Sequence, residues 1–329
     1  MATAEPLVVS YSRLKSWKFC QQEHYYKYVM RIEPRVKPLP LQRGKILDDL
    51  LNAYTRGEPW EPVLEQYERT YGRLFREERE LYGDIIGDCR RIMEGYVRRW
   101  ANDPLTYVGS QVELGPVEIE DGIFLTGVAD ALGEDDRGIW LVERKSHRNL
   151  PDENARMWNM QILIYVWLLL KQGYDNIRGI VWDYLRTKAP SKPEVLRDGS
   201  LSRRKKIDTT WEVYKQAVIE AGQDPEDYKD MQKALQGREN RFYRRVYMPV
   251  TKSMLNPVIK DARITALQIQ ALQHHPTRRL SRDCARCSYF PLCYAELNRL
   301  DTSELLRLEY KPREEVKDDG QEEAEDDEE

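Results

Sequence analysis

The sequence predicts an α/β protein in which helices flank a central mixed β-sheet. Three strand-like segments lie within residues 107–145, a long apolar helix follows at 157–174, and a further strand follows at 178–187. Short turns between strands are typical of antiparallel pairing, whereas a helix between two strands is the connection that parallel strands need. We therefore expect antiparallel and parallel pairs in one sheet.

The composition is that of a folded chain without membrane segments. Of the 329 residues, 41% are hydrophobic, which is enough for one elaborated core with additions. No apolar run approaches the roughly 20 residues that a membrane-spanning helix needs, and the N-terminus lacks the basic-then-apolar order of a signal peptide. We therefore expect a cytoplasmic protein with no membrane partner.

Helices are expected in the N-terminal region, residues 1–106. Ser10 precedes an amphipathic stretch in which Leu14, Trp17 and Tyr25 recur at helical spacing, so it is positioned to cap a helix. Three further helical segments follow at residues 43–55, 61–80 and 82–101.

Strands dominate the next region, residues 107–187. Segments 107–119, 122–132 and 138–145 alternate or run apolar, and turns containing Gly-Pro, Asp-Gly and Asp-Asp-Arg-Gly divide them. Since consecutive strands with short turns pair side by side, these three are expected to form an antiparallel meander.

Three regions complete the chain. Residues 188–240 combine a basic arm, which contains the run Arg203–Lys206, with a polar helical insertion. Residues 241–300 hold one more strand, one more helix at 252–273 and a cysteine-rich segment. Residues 301–329 are expected to be a disordered acidic tail, because their last sixteen residues carry eleven acidic side chains and one lysine. Without those sixteen, 51 basic residues face 45 acidic ones, a net charge of +6.

Charged residues interrupt two of the apolar strands. Glu143 and Lys145 point to the same face of one strand while Arg144 points to the other, because side chains alternate along a strand. If the strand ending at Asp130 pairs with this one, Asp130 lies beside Glu143. Two carboxylates at that distance repel each other unless a proton or a cation lies between them, and Mg²⁺ is the usual cation for a small carboxylate site. The alternative is a surface hairpin with an ordinary ion pair.

This stretch resembles the PD-(D/E)XK nuclease superfamily in its RecB-like branch, where G-x-x-D on one strand is followed by (D/E)-x-K on the next. The matching residues are Gly127, Asp130, Glu143 and Lys145. The resemblance covers about residues 8–300 and implies a restriction-endonuclease-like core. It implies a catalytic centre of Asp130, Glu143 and Lys145 on Mg²⁺ or Mn²⁺, with the backbone carbonyl of Arg144 as a further metal ligand.

The resemblance also implies two further groups of site residues. In that family the next helix carries Q-x-x-x-Y, matched by Gln161 and Tyr165, which would hold the DNA backbone or orient the lysine. The alternative for this pair is core packing. An early helix carries G-x-x-x-H, but here Gly44 is followed by Asp48. Asp48 is thus a candidate ligand that would favour Mg²⁺ over softer ions; Asp49 and a solvent-exposed helix face are the alternatives.

Three of the five cysteines lie close together, as C-x₂-C-x₅-C at residues 284, 287 and 293. In a cytoplasmic protein this grouping indicates a metal or cluster with a fourth ligand, and zinc is one possibility. RecB-like nucleases of the AddB type and the CRISPR-associated adaptation exonucleases place that fourth cysteine near the N-terminus, after an S-x-S-x-L pattern. The resemblance therefore implies a 4Fe-4S cluster joining the two ends of the chain, held by Cys20, Cys284, Cys287 and Cys293.

The predicted function is a metal-dependent DNA exonuclease acting on single-stranded or end-exposed DNA. Its DNA-binding candidates are the basic residues Arg186, Lys188, Arg203, Arg204, Lys205 and Lys206, whose alternative role is that of a solvated basic loop. The chain lacks a G-x-x-x-x-G-K-(S/T) motif, so unwinding would need a helicase or another recombination or adaptation partner. Recombination, repair and CRISPR adaptation, in a bacterial, archaeal or phage-infected cell, fit such a protein. The alternative function is a catalytically inactive DNA-binding module that retains the fold.

Overall fold

A six-stranded mixed sheet forms the centre of the molecule, and the computed structural model describes residues 6–36, 38–151 and 159–313. The strands are β1 (Leu7–Ser10), β2 (Ile32–Pro34), β3 (Thr106–Glu120), β4 (Ile123–Asp135), β5 (Gly138–His147), β6 (Ile177–Arg186), β7 (Tyr243–Pro249) and β8 (Tyr310–Pro312). The main sheet has the order β1-β4-β5-β6-β7, with β3 paired to β4, and β2 and β8 form a separate antiparallel pair.

Helices cover both faces of this sheet. The α-helices of the described residues are α1 (Tyr11–Phe19), α2 (Gln21–His24), α3 (Leu39–Thr55), α4 (Glu61–Tyr71), α5 (Arg76–Tyr82), α6 (Ile85–Arg99), α7 (Met160–Lys171), α8 (Trp211–Glu220), α9 (Lys229–Leu235), α10 (Lys252–Leu272), α11 (Phe290–Leu297) and α12 (Ser303–Glu309). The expected mixed α/β fold with a helix-flanked sheet is confirmed.

The predicted pairing of strands is also found. β3, β4 and β5 form an antiparallel meander, whereas β6 runs parallel to β5 after the crossover through α7. Ser10 caps α1 as expected, because its side-chain oxygen accepts the backbone N–H of Arg13 at 3.2 Å. The first two residues of the helix predicted at 157–174 lie outside the described residues.

Some boundaries differ from the sequence-based expectation. The helix predicted over 61–80 is two helices, α4 and α5, because the chain turns between Gly72 and Phe75. Short β1 was not predicted, since four residues carry too little periodicity to identify a strand. The region assigned to the acidic tail contains α12 and β8, which bring Leu305, Leu306 and Tyr310 against the cysteine-rich segment. The acidic run 314–329 lies outside the described residues.

Two hydrophobic cores form on the two faces of the sheet. On one face α1, α7 and α10 pack against the strands, with Leu125, Leu141 and Trp182 buried at the centre. On the other face α3, α4 and α6 form a second core that reaches the ends of β6 and β7. The insertion within residues 188–240 has a small core of its own around Tyr214 and Met231. None of the helices in the described parts of the chain is both long and apolar enough to cross a membrane.

Buried ion pairs tie β6 and β7 to the segment before β3. Arg245 donates to Asp183 at 3.1 Å and to both oxygens of Asp103, and its guanidinium lies over the Trp100 ring. Asp183 also accepts the hydroxyl of Tyr96 at 2.5 Å, and its side chain is fully buried. Burial alone would lower the pKa of Arg245, but the neighbouring Asp183 and Asp103 carboxylates favour its protonated form and raise the pKa overall.

Removing Arg245 should therefore be costly. Arg245→Met leaves Asp183 buried without its cation, so we expect the free energy of unfolding to fall by roughly 3–5 kcal/mol in urea denaturation. Arg263→Met is the matched control, because its pair with Glu120 is half-exposed, and it should cost about 1 kcal/mol or less. Equal losses in the two variants would contradict a stabilising role for the buried network.

Candidate active site

The candidate site lies where one strand of the sheet exchanges neighbours. β3 occupies one edge of β4, and the other edge is shared: β1 pairs with residues 123–126, and β5 pairs with residues 131–135. Residues 127–130 lie at the fork between β1 and β5. One step past the last pair, Ala131 with Val142, the antiparallel register brings Asp130 beside Glu143. Here the carboxylate of Asp130 accepts the backbone N–H of Arg144 at 2.8 Å.

A backbone irregularity faces the fork from the opposite edge. The pairing of β3 with β4 passes from Ser110–Ala131 to Val112–Ala129 and omits the intervening Gln111 and Asp130. Gln111 has a φ of +50°, which is uncommon for a residue other than glycine. Its side-chain amide lies 3.5 Å from Asp48 Oδ2. The sequence did not indicate Gln111, because no pattern predicts a left-handed residue within a strand.

Asp48, Asp130 and Glu143 are all buried at this point, at 9%, 7% and 1% exposure. Burial and, after it, the nearby charge of Asp130 together raise the pKa of Asp48 to about 7, against the opposing effect of the Arg144 charge. Burial likewise raises the pKa of Asp130, and the Arg144 and Lys145 charges lower it. Asp48 on α3 and Asp130 on β4 therefore lie close enough to influence each other electrostatically.

Glu143 and Lys145 contact each other on one face of β5. The Lys145 ammonium lies 3.2 Å from a Glu143 oxygen, and both side chains are almost fully buried. Arg144 extends from the other face, where its guanidinium donates to Asn52 at 2.9 Å and to the hydroxyl of Thr55. The alternation expected from the strand period is therefore present, and the alternative of a solvent-exposed hairpin ion pair does not fit the burial.

Of the two neighbouring acids on α3, only Asp48 faces the fork. The amide of Asn52 donates to Asp48 at 2.7 Å. The carboxylate of Asp49 instead accepts the hydroxyl of Tyr67 and pairs with Lys45 at 3.3 Å, on the side of α4. Glu113 is exposed on β3.

Gln161 and Tyr165 lie buried on the face of α7 that packs against the sheet. The Gln161 amide donates to the Tyr165 hydroxyl at 3.3 Å, while its oxygen, buried as well, has no hydrogen-bond partner in the described part of the chain. The Tyr165 ring rests directly on Gly127, where an added Cβ would collide with it. The glycine at the start of G-x-x-D is thus needed for the approach of α7 to β4.

The chemistry of these side chains suits a hard divalent cation. Three carboxylates and nearby backbone carbonyls are the oxygen donors that Mg²⁺ and Mn²⁺ prefer, and a cation would relieve the repulsion among the buried acids. As they stand, the oxygens make contacts within the protein, with Asn52, the Arg144 N–H and Lys145. Accordingly, no group of three or more His, Cys, Asp or Glu residues within 6–36, 38–151 and 159–313 is arranged to hold a metal ion.

The cysteine-bearing segments from the two ends of the chain are adjacent. Cys20 separates α1 from α2, and the next residue, Gln21, accepts the backbone N–H and the hydroxyl of Thr277 at 3.0 and 2.8 Å. Burial is the main cause that raises the pKa of the Cys287 thiol to about 12, and nearby Glu23, Cys20 and Cys284 contribute to this shift. Cys293 lies in α11 and packs with Cys287 around Tyr26 and Tyr289. Cys89 is buried separately in α6.

The basic candidates divide into two groups. Arg186 and Lys188 both pair with Asp208, and Arg203 pairs with Asp230 and lies over the Tyr228 ring, so these three stabilise the insertion. Arg204, Lys205 and Lys206 are exposed, as Lys188 and Arg203 are, and Arg204 pairs with Glu194 at 4.0 Å. They line a cavity of about 540 Å³ together with Ser191, Lys192, Glu194, Ser202 and Ile207.

Comparison with known proteins agrees with the motif. The sequence profile of the PD-(D/E)XK nuclease superfamily matches residues 8–294, which is most of the chain. The crystal structure of SSO0001 aligns over 88% of each chain at 12% identity, but its TM-score of 0.33 is too low to bear on the fold. No curated protein matches the sequence. Because the family profile spans the core and both cysteine-bearing segments, the chain belongs to the PD-(D/E)XK nuclease superfamily.

Proposed function

We propose that the protein is a metal-dependent DNA exonuclease that hydrolyses phosphodiester bonds in single-stranded or end-exposed DNA. Superfamily membership indicates a phosphodiester-hydrolysing nuclease. The observation that carries the proposal is the fork of β4, where Asp130, Glu143 and Lys145 meet as buried charged groups with Asp48 beside them. Burying four ionisable groups costs free energy. Their presence together in one buried place therefore favours a catalytic site over an inactive module that only retains the fold.

Each residue of the site has a proposed role. Asp130, Glu143, Asp48 and the carbonyl of Arg144 would hold Mg²⁺ or Mn²⁺, and Glu143 would exchange its contact with Lys145 for the cation. When bound, the cation polarises the phosphate and makes water a better nucleophile. Lys145 would orient the attacking water and stabilise negative charge that builds up on the phosphate oxygens.

Gln161 and Tyr165 would position the substrate and the lysine. The Tyr165 hydroxyl accepts from Gln161, which leaves the buried Gln161 oxygen to accept a hydrogen bond from the Lys145 ammonium or from water. DNA would reach the site along basic surface, for which the exposed Lys205 and Lys206 are better candidates than the ion-paired Arg186, Lys188, Arg203 and Arg204. Recombination, repair or CRISPR-type adaptation, with a helicase or adaptation partner, is the proposed context.

We further propose a structural 4Fe-4S cluster held by Cys20, Cys284, Cys287 and Cys293. Two observations support it: the N- and C-terminal segments are joined through Gln21 and Thr277, and Cys20 and Cys284 both contribute to the raised pKa of Cys287. Four thiolates suit iron–sulfur clusters, with zinc as the competing occupant. The cluster would fasten both ends of the chain to the sheet.

Lys145→Ala tests the catalytic proposal. End-labelled single- and double-stranded DNA would be incubated anaerobically with Mg²⁺, Mn²⁺ or EDTA. The wild type should shorten DNA from an end only with metal, and the variant should cleave at least about 100-fold more slowly, because it lacks the stabilising charge. DNA affinity in Ca²⁺ should stay within about threefold, because phosphate contacts elsewhere dominate binding.

Lys171→Ala is the matched control, since Lys171 is exposed at the end of α7, and it should cleave like the wild type. Full activity in Lys145→Ala would overturn the proposed role of the lysine. Binding without cleavage by the wild type in either metal would instead support the inactive DNA-binding module.

Cys20→Ser tests the cluster. The wild type purified without oxygen should be brown and contain about four iron atoms per chain, and Cys20→Ser should lose most of the colour and melt at a lower temperature. Cys89→Ala is the control, because Cys89 lies apart in α6, and it should keep the iron. A colourless wild type that contains zinc would replace the cluster with a zinc site.

A further inference from the structure

A chain of hydrogen bonds joins the middle residue of the Glu143-Arg144-Lys145 sequence to α3. The Arg144 guanidinium donates to the side-chain oxygen of Asn52 at 2.9 Å, and the Asn52 amide donates to Asp48 at 2.7 Å. A second guanidinium nitrogen donates to the hydroxyl of Thr55. That hydroxyl in turn donates to the backbone carbonyl of Leu51, one helical turn earlier. Arg144, Asn52 and Asp48 are all buried.

The chemistry of arginine fixes the direction of this chain. A guanidinium has only donors, whereas an amide side chain has an oxygen that accepts and a nitrogen that donates. Arg144 therefore selects the orientation in which Asn52 presents its oxygen to β5 and its nitrogen to Asp48. One Asp48 oxygen receives this hydrogen bond together with the weaker contact from Gln111 at 3.5 Å.

The positive charge of Arg144 also favours the ionised carboxylate of Asp48. Its guanidinium is buried near both Asp48 and Asp130, and its backbone N–H donates directly to Asp130. Where the related motif has a neutral imidazole, this chain has a carboxylate, which adds a third negative charge to a buried site. A buried cation on the opposite face of β5 offsets that charge without entering the fork.

We propose that Arg144 and Asn52 are positioning residues that orient Asp48 toward the metal and make a third carboxylate tolerable where the family pattern has histidine. This inference rests on the proposed metal-dependent function and adds to it two residues that neither the family motif nor the sequence singled out for this role. Arg144 thus has two functions: its backbone holds Asp130, and its side chain, through Asn52, holds Asp48.

A purely structural role is the competing explanation, since Arg144 also ties α3 to the sheet. The two explanations differ in where the effect of Asn52 is felt. A positioning residue acts on the metal through Asp48, so its removal should matter only while Asp48 is a carboxylate. A structural residue should alter metal affinity equally whatever stands at position 48.

The test is a double-mutant cycle on the full chain, with Mn²⁺ affinity measured by electron paramagnetic resonance without DNA. Asn52→Ala should weaken Mn²⁺ binding by about tenfold or more, which is typical for residues that orient a metal ligand. In the Asp48→Asn background the same substitution should change affinity by less than about threefold. Melting curves in EDTA establish that each variant is folded, and Asn52→Leu, which fills the same space, replaces Asn52→Ala if the alanine variant does not fold.

Asp49→Asn is the matched control, because this carboxylate is one residue away on α3 but faces Tyr67, and it should leave Mn²⁺ affinity within about threefold. Unchanged Mn²⁺ affinity in Asn52→Ala, or an equal loss in both backgrounds, overturns the positioning role while the metal site itself stands. If Asp48→Asn alone abolishes Mn²⁺ binding, Asn52→Ala is judged on its own: a loss of about tenfold or more in Mn²⁺ affinity supports the positioning role, and unchanged affinity overturns it. Absence of Mn²⁺ binding by the wild type overturns the proposed function and this inference together.

Discussion

The candidate site depends on the fact that a β-strand has only two edges. β3 takes one edge of β4, so β1 and β5 must share the other, and the strand opens between them at residues 127–130. At this point the regular backbone hydrogen bonding between β4 and β5 ends, and the backbone N–H of Arg144 donates to the side-chain carboxylate of Asp130. The fork is therefore a place in the sheet where side-chain oxygens gather beside the strand backbone.

Several buried acids at the fork carry an electrostatic cost, and cationic side chains on the surrounding elements reduce it. Burial raises the pKa of both Asp48 and Asp130, so each would tend to hold a proton unless cations oppose the shift. Arg144 and Lys145 supply those cations from opposite faces of β5. Behind Arg144 lies the network of Tyr96, Tyr107 and Arg245, which binds β6, β7 and α6 into a rigid support. The site is thus held by regular elements of the fold rather than by loops.

The sequence predicted most of this arrangement where residue types and spacing act locally. The strand period placed Glu143 and Lys145 on one face, and the G-x-x-D and E-x-K pattern identified the strands that meet. The family pattern pointed to α3 for a third ligand, although the residue there is Asp48 rather than histidine. Asn52 and Gln111 could not be predicted, because their roles arise from contacts across elements distant in sequence. The roles of Arg186, Lys188 and Arg203 also depend on tertiary ion pairs, which composition does not reveal.

Locating a bound metal ion would show whether the fork of β4 is a metal site. Crystals of the full chain soaked in Mn²⁺ would be examined by anomalous diffraction, with Asp130→Asn crystals as the comparison. We expect an anomalous peak among Asp48, Asp130 and Glu143, at about 2.0–2.6 Å from carboxylate oxygens, which is absent or much weaker in the variant. A wild-type fork without a peak, or a peak that persists unchanged in Asp130→Asn, would contradict a metal site at the fork.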